Sequence, residues 1–220
     1  MEARYRSDYP GEFVVLESKW SAGRKEQRRD WIPNPIQNLH LSGRAACIGS
    51  NVDADKFNYT LLQKHRGGLR SSKKLQTYGT AAVALEMRLD FAVDINFDNL
   101  QPLLANQYVQ NNIVYTTARN CIRYPGEFYL IPQYPNLCAM ALPIYLAAFD
   151  EHKEIFMLGY NTETVGDQSD WIGQIAGIIS AYSGTLFTMV GVESNMPNAW
   201  MNCANTRNFD YREFISYCDV

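Results

Sequence analysis

Between residues 43 and 191, short apolar runs of strand length alternate with longer segments of helical period. Apolar runs of about six residues are typical of strands that are buried on both faces, and in parallel sheets such strands alternate with helices. The alternation therefore predicts an α/β fold of Rossmann-like type, with a mainly parallel sheet covered by helices on both faces. The predicted strands are residues 44–49, 89–95, 112–118, 127–132, 154–160 and 185–191.

Four segments between these runs predict helices. The segment 74–88 is rich in alanine, which has the highest helix propensity. In the second helix Pro102 is expected in the first turn, and in the third Pro143 is expected to introduce a kink. The fourth begins with Ser169 as a cap and ends at Gly184. The predicted helices are residues 74–88, 97–108, 137–153 and 169–184.

The first 41 residues follow a different pattern. Residues 11–20 predict one strand, residues 23–31 an exposed basic loop, and residues 32–38, with two prolines, an extended connector. Residues 1–41 therefore form a short N-terminal β arm with its connector, and residues 42–220 form a single nucleotide-binding-like α/β domain. The C-terminal tail, residues 195–220, is expected either to close over a crevice or to pack on the sheet edge.

The charge is unevenly distributed. Residues 1–75 hold 14 Lys and Arg against 8 Asp and Glu, although the whole chain has a formal net charge of −3. A basic first part suggests an anionic partner, and it also fits a solvated polar surface. In residues 24–29 four cations lie between Trp20 and Trp31, a combination found in single-stranded nucleic-acid binding and also in plain surface loops.

Other bulk features bear on the compartment. No apolar run approaches the 18–20 or so residues that span a bilayer. The start of the chain has no apolar signal region, and the five cysteines are scattered without a CxxC pair. These features predict a cytoplasmic protein without a membrane span.

Three predicted strands end in small polar residues. Carboxyl ends of parallel strands meet at one edge of the sheet, where ligands bind near a topological switch point. The three ends are therefore expected to form a nucleotide-binding crevice, although turn chemistry alone also favours such residues. The residues concerned are Gly49, Ser50 and Asn51 on the first strand, Asp94 and Asn96 on the second, and Asn161 after the fifth.

A basic, glycine-containing segment at residues 64–74 is the candidate phosphate-binding loop. Arg66, Arg70 and Lys73 would neutralise phosphate charge, although the segment also fits an ordinary surface loop. Transfer to a hydroxyl needs a general base, for which His65 and Asp94 are the first candidates, beside the acidic residues Glu163 and Asp167 after the fifth strand.

The order of these pieces resembles the bacterial-type sialyltransferases and the related pyrophosphokinase-like family of archaeal pterin metabolism. The resemblance covers about residues 44–161. Residues 135–161 are its main part, with an Ala-rich helix, Lys153-Glu154-Ile155, and an apolar strand ending Gly159-Tyr160-Asn161. Three features depart from those families: Val52-Asp53 replaces a glycine and a proline in the first loop, Asn136-Leu137 replaces a Ser/Thr-Gly pair in the later segment, and no histidine follows His152. No catalytic histidine is therefore transferred.

The resemblance implies a metal-independent glycosyltransferase that moves a sugar from a nucleotide-sugar donor, with a CMP-linked donor as the first candidate. The acceptor would be a glycan or another hydroxyl compound. Two alternatives stay open from the residues themselves: a nucleic-acid-binding or nucleic-acid-modifying protein that uses the basic first part, and a non-catalytic α/β binding protein.

Overall fold

The computed structural model of the chain describes three N-terminal segments and most of the chain from residue 43 onward. For the three N-terminal segments, only the backbone is described. The described residues are 2–5, 12–21, 24–33, 43–49, 52, 57–58, 61–62, 75–132, 136–160, 169–191 and 196–220.

These residues form eleven strands and seven α-helices. The strands are β1 (Glu2–Tyr5), β2 (Glu12–Ser21), β3 (Arg24–Pro33), β4 (Arg44–Ile48), β5 (Leu75–Thr80), β6 (Phe91–Val93), β7 (Ile113–Thr116), β8 (Tyr129–Leu130), β9 (Glu154–Leu158), β10 (Leu186–Val190) and β11 (Thr206–Phe209). The helices are α1 (Ala81–Glu86), α2 (Phe97–Ala105), α3 (Ala118–Arg123), α4 (Leu142–Phe149), α5 (Ser169–Ala181), α6 (Asn198–Met201) and α7 (Tyr211–Cys218).

Eight of the strands form one parallel sheet, in the order β11-β10-β9-β4-β5-β6-β7-β8. Every pair of neighbours in this sheet is parallel. The predicted α/β, Rossmann-like fold is confirmed. All six predicted strands are present, and the second and fourth are shorter than predicted, at three and two residues.

The two faces of the sheet carry separate hydrophobic layers. Along β4 the side chains alternate: Ala45 and Cys47 belong to one layer, and Ala46 and Ile48 belong to the other. Residues of α4, α5 and α6 fill the first layer, and residues of α1, α2, α3 and α7 fill the second. Since both of their faces are covered, β4 and β9 are apolar at almost every position.

The predicted helix 74–88 is wrong in its first half. Residues Leu75–Thr80 form β5, and the helix begins at Ala81. All six residues of β5 are buried between β4 and β6, so tertiary packing decides the conformation there. A Cβ at Gly79 would come within 2.8 Å of the Leu89 side chain, which explains a glycine in a central strand.

Two prolines also lie in other helical positions than predicted. Pro102 lies inside α2, beyond its first turn, where its missing N–H leaves the Asp98 carbonyl without the usual helical bond. Pro143 lies at the start of α4 rather than at a kink. At that position its missing N–H costs nothing, because the first N–H groups of a helix have no helical acceptor.

The predicted basic loop at residues 23–31 is a strand instead. It pairs with β2 along its whole length, and β1 pairs with β2 on the other side, so the N-terminal arm is a three-stranded antiparallel sheet. The register places Glu17 opposite Arg28 and Lys19 opposite Glu26.

The C-terminal tail packs on the sheet edge, one of its two predicted positions. β11 extends the sheet beyond β10, and α7 returns over the layer that holds α1, α2 and α3. A capping box begins α7: the Asp210 side chain accepts from the Glu213 N–H at 2.7 Å, and the Glu213 side chain accepts from the Asp210 N–H at 2.8 Å.

Two glycines in α5 provide a direct test of the helix. Gly173 and Gly177 are exposed, and a Cβ at either position would meet no atom within 4 Å. Because alanine has less freedom to lose on folding, each Gly→Ala change is expected to stabilise the protein by about 0.5–1 kcal/mol. Denaturant unfolding of both variants measures this gain, and a loss of stability at either position would contradict the exposed helical face.

Candidate active site at the switch point

The order of the strands creates one topological switch point. The chain enters the large sheet at β4, adds β5 to β8 on one side, and then returns to place β9, β10 and β11 on the other side. Phe57 and Leu62, which follow β4, pack in one hydrophobic layer, and α5, which follows β9, packs in the other. In open α/β sheets, ligands bind in the crevice at such a switch point, at the carboxyl ends of the strands.

Gly49 and Gly159 bring the two strand ends into backbone contact. The Gly49 N–H donates to the Leu158 carbonyl at 2.7 Å. A Cβ at Gly49 would lie 2.6 Å from the Gly159 carbonyl oxygen, and Gly159 itself has a φ of 73°. The close approach of the two strand ends therefore requires glycine at position 49, because Gly159 and Met140 occupy the space that a Cβ would take.

A third glycine ends the next strand, and its role was not predicted from the sequence. Gly191 follows β10 with a φ of 79°, and a Cβ there would lie 2.3 Å from the Tyr211 ring. Three adjacent strands, β4, β9 and β10, thus end in glycine at one edge of the sheet. The repeated ending of an apolar run in glycine was the signal in the sequence.

Asp94 lies at the end of β6, as predicted, and is almost completely buried. Its Oδ1 accepts from the Asn96 N–H at 2.9 Å, and its Oδ2 accepts from the Asn99 side-chain amide at 3.0 Å. Burial raises the pKa of Asp94, although these hydrogen bonds oppose the rise. A carboxylate has about four acceptor positions, so two bonds orient Asp94 and leave capacity to accept a proton.

Asn96 has a structural role in the same turn. Its side chain accepts from the Asp98 N–H at 3.0 Å and so caps α2. Asp94 and Asn96 therefore lie together, and β5 separates them from Gly49. Two strand spacings amount to about 10 Å, a distance that an extended ligand can bridge.

Asn120 connects the ends of β6 and β7 and was also missed. Its side-chain amide donates to the Thr116 hydroxyl at 2.9 Å and to the Ile95 carbonyl at 3.3 Å. The side chains of Asn120 and Thr116 are both buried, so the polar lining of this edge continues from Asp94 toward β7. The sequence offered no signal for Asn120, because its position depends on α3, which was not predicted.

The other predicted site residues cannot be compared with the structure. They lie outside the described residues, and their assignments stay predictions. They are the nucleotide-binding Ser50, Asn51 and Asn161, the base candidate His65, and the phosphate-binding Arg66, Arg70 and Lys73.

A second buried polar cluster lies at the opposite edge of the sheet. The Tyr78 hydroxyl donates to Asp150 Oδ2 at 2.7 Å and lies 3.0 Å from His152 Nε2. Burial and the neighbouring Asp150 carboxylate raise the pKa of Tyr78 well above its usual value. Asp150 ends α4 and His152 precedes β9, so this cluster ties α4 to the sheet far from the crevice.

Among the residues that the structure describes, no three histidine, cysteine, aspartate or glutamate side chains are grouped as a metal site. None of the helices formed there has the length and apolar character needed to cross a membrane.

Comparison with known proteins adds no relative. No protein-family model, no curated protein and no solved structure gives a significant match to the chain. The function must therefore be argued from the fold, the switch point and the residues around it.

Proposed function

We propose that the chain is a transferase that binds a nucleotide-linked sugar in the crevice between the ends of β4 and β9. The observation that supports this proposal is the topological switch point, where the ends of β4 and β9 meet in backbone contact at Gly49 and Gly159. In open α/β sheets, ligands bind beside such a switch point at the carboxyl ends of the strands.

Asp94 supports the catalytic part of the proposal. A general base works best when its pKa lies near the working pH, and burial moves the pKa of Asp94 upward in that direction. The hydrogen bonds from Asn96 and Asn99 fix the orientation of the carboxylate. In the proposed reaction Asp94 takes the proton from the acceptor hydroxyl as that oxygen attacks the sugar.

The choice of a sugar donor comes from the resemblance to the bacterial-type sialyltransferases, which makes a CMP-linked sugar the first donor to test. The predicted basic residues at 66, 70 and 73 would neutralise the departing phosphate.

The nucleic-acid alternative stays a prediction from the charge of the first part of the chain, where residues 1–75 hold 14 Lys and Arg against 8 Asp and Glu.

A thermal-shift experiment tests the proposal. The probes are CMP, CDP, UDP, inorganic phosphate and a short single-stranded DNA. A nucleotide at a hundred times its dissociation constant stabilises the folded state by about 2.7 kcal/mol, which corresponds to a Tm increase of about 5–10 °C for a chain of this size. The proposal would be contradicted if the Tm rose with DNA alone, or if none of the probes raised it.

Two glycine variants test where the nucleotide binds. Gly49→Ala adds a Cβ that must displace the Gly159 backbone, so we expect a loss of about 1–3 kcal/mol of stability and a much smaller nucleotide-induced shift. Gly43→Ala is the matched control, because a Cβ at Gly43 would meet no atom within 4 Å. A full nucleotide shift in Gly49→Ala would move the site away from the switch point.

A further inference from the structure

Two buried hydrogen-bond donors beside the switch point have no partner. The Tyr160 hydroxyl and the Trp171 indole N–H are the two buried side-chain groups without a hydrogen bond among the described residues. Their side chains are 1% and 5% exposed. Other buried donors of the same types are satisfied: the Tyr145 hydroxyl donates to the Pro132 carbonyl, and the Trp200 N–H donates to the Ile172 carbonyl, both at 2.9 Å.

The two unpaired donors lie next to each other. Tyr160 directly follows Gly159, and Trp171 lies in the first turn of α5, the helix that follows β9. Their ring centroids are 6.5 Å apart, at an interplanar angle of 48°. Both donors therefore belong to the side of the crevice that α4 and α5 form.

An unpaired buried donor is costly. Leaving such a group without an acceptor costs about 1–3 kcal/mol, and native structures retain few of them. Two adjacent unpaired donors at the ligand-binding edge of an α/β sheet indicate that their acceptors come from a ligand.

The surroundings of Tyr160 define the kind of acceptor. Its neighbours include the thiols of Cys47 and Cys138, and it packs in the same apolar layer as Trp171 and Trp200. An anion buried among such groups would lose its hydration, and no cation would compensate for that loss. The free-energy cost is far greater than that of burying a neutral acceptor. Two neutral donors in apolar surroundings therefore suit a carbonyl oxygen on a flat heterocycle.

We infer that Tyr160 and Trp171 recognise the base of the bound nucleotide, by donating hydrogen bonds to a base carbonyl. This inference rests on the proposed nucleotide site and adds its specificity. Cytosine, uracil and guanine each carry a carbonyl oxygen, and adenine carries none. The site should therefore reject adenine nucleotides, because the buried donors would stay unpaired.

Half-buried Met140 packs against this layer. Its terminal methyl group would be 3.3 Å from a Cβ at Gly49, so it lies beside the contact of Gly49 with Gly159. Binding of a base at the buried donors requires a side chain of this layer to move, and methionine repacks readily.

Calorimetric titration of the full chain tests the inference. The probes are CDP, UDP, GDP, ADP and inorganic pyrophosphate. The wild-type protein should bind the three carbonyl-bearing nucleotides at least about tenfold more tightly than ADP. Tyr160→Phe should reduce the affinity for those three by about tenfold or more and leave ADP and pyrophosphate unchanged. Tyr145→Phe, the matched control, should leave every affinity unchanged.

The unliganded proteins give a second readout. Tyr160→Phe removes an unpaired hydroxyl and should raise the Tm by about 2–4 °C, whereas Tyr145→Phe breaks a formed hydrogen bond and should lower it. An equal fall of the Tm in both variants would show that the Tyr160 hydroxyl is already satisfied, for example by buried water, and would overturn the inference.

The two proposals fail in different ways. If the wild-type protein binds no nucleotide at all, the proposed function fails and the inference fails with it. Nucleotides can also bind without a preference for carbonyl-bearing bases, or with a preference that persists in Tyr160→Phe. In either case the nucleotide site stands, and Tyr160 is not its base-recognition residue.

Discussion

Replacing Asp94 with asparagine is expected to slow sugar transfer by about 10²–10⁴-fold, the usual contribution of a positioned general base. Asparagine has nearly the same shape and keeps an oxygen that can accept from the Asn96 N–H. The turn between β6 and α2 should therefore remain, while the group that takes the proton is lost. Release of the nucleotide from a CMP-linked sugar, measured with and without an acceptor, reports the rate.

Asp98→Asn is the matched control for this prediction. Asp98 is exposed in the first turn of α2, four residues after Asp94, and the substitution changes charge in the same way. The transfer rate should be unchanged in Asp98→Asn, and nucleotide affinity should be unchanged in both variants. Full transfer activity in Asp94→Asn would remove Asp94 from the catalytic role.

The pKa of Asp94 also predicts how stability depends on pH. Burial raises this pKa in the folded protein, whereas the unfolded chain has a value of about 3.9. The folded state therefore holds the Asp94 proton more tightly, and the stability that it provides is fully present below about pH 3.9. This contribution is lost as the pH rises through the folded pKa. Denaturant unfolding of wild type and Asp94→Asn between pH 3 and 7 measures the difference, and the opposite slope would contradict the direction of the shift.

The parallel sheet could be predicted from the sequence because its strands are buried on both faces. The sequences of such strands are apolar runs, which differ clearly from the helical segments between them, as in β4 and β9. β5 could not be separated from the following helix, because three of its six residues, Gln76, Thr77 and Thr80, are polar and it does not form an apolar run. Strand pairing across the sheet decides that boundary.

The N-terminal sheet shows the opposite limit. The strand β3 is charged along most of its length, so it lacks the apolar residues that identify a strand. β3 is identified as a strand by its pairing with β2, and the register between two strands cannot be read from either segment alone.

The candidate site was predictable in part for a similar reason. Gly49 and Asp94 each follow an apolar run, so their places at strand ends could be read directly from the sequence. The unpaired donors of Tyr160 and Trp171 could not, because an unpaired group is defined by what surrounds it in three dimensions. Gly191 lies between these cases: its strand was predicted, and its contact with Tyr211 was not.

Gly191→Ala is expected to destabilise the protein by about 2–5 kcal/mol, the largest stability effect of the substitutions considered. A residue with a side chain at a φ of 79° costs about 1–3 kcal/mol, and overpacking adds a similar amount. The overpacking arises because the new Cβ would lie 2.3 Å from the Tyr211 ring. That ring is stacked on Phe57, with centroids 5.4 Å apart, so it cannot withdraw without losing this contact. Denaturant unfolding measures the loss.

A double-mutant cycle separates the two causes. In a Tyr211→Ala background the ring is gone, so Gly191→Ala should cost only the backbone strain, about 1–3 kcal/mol. Gly43→Ala reports the change that alanine makes in the unfolded chain, because a Cβ at Gly43 would meet no atom within 4 Å. An equal cost of Gly191→Ala in both backgrounds would show that the ring contact contributes nothing. A reduced cost would establish that the ring of Tyr211, the first residue of α7, packs tightly against the end of β10.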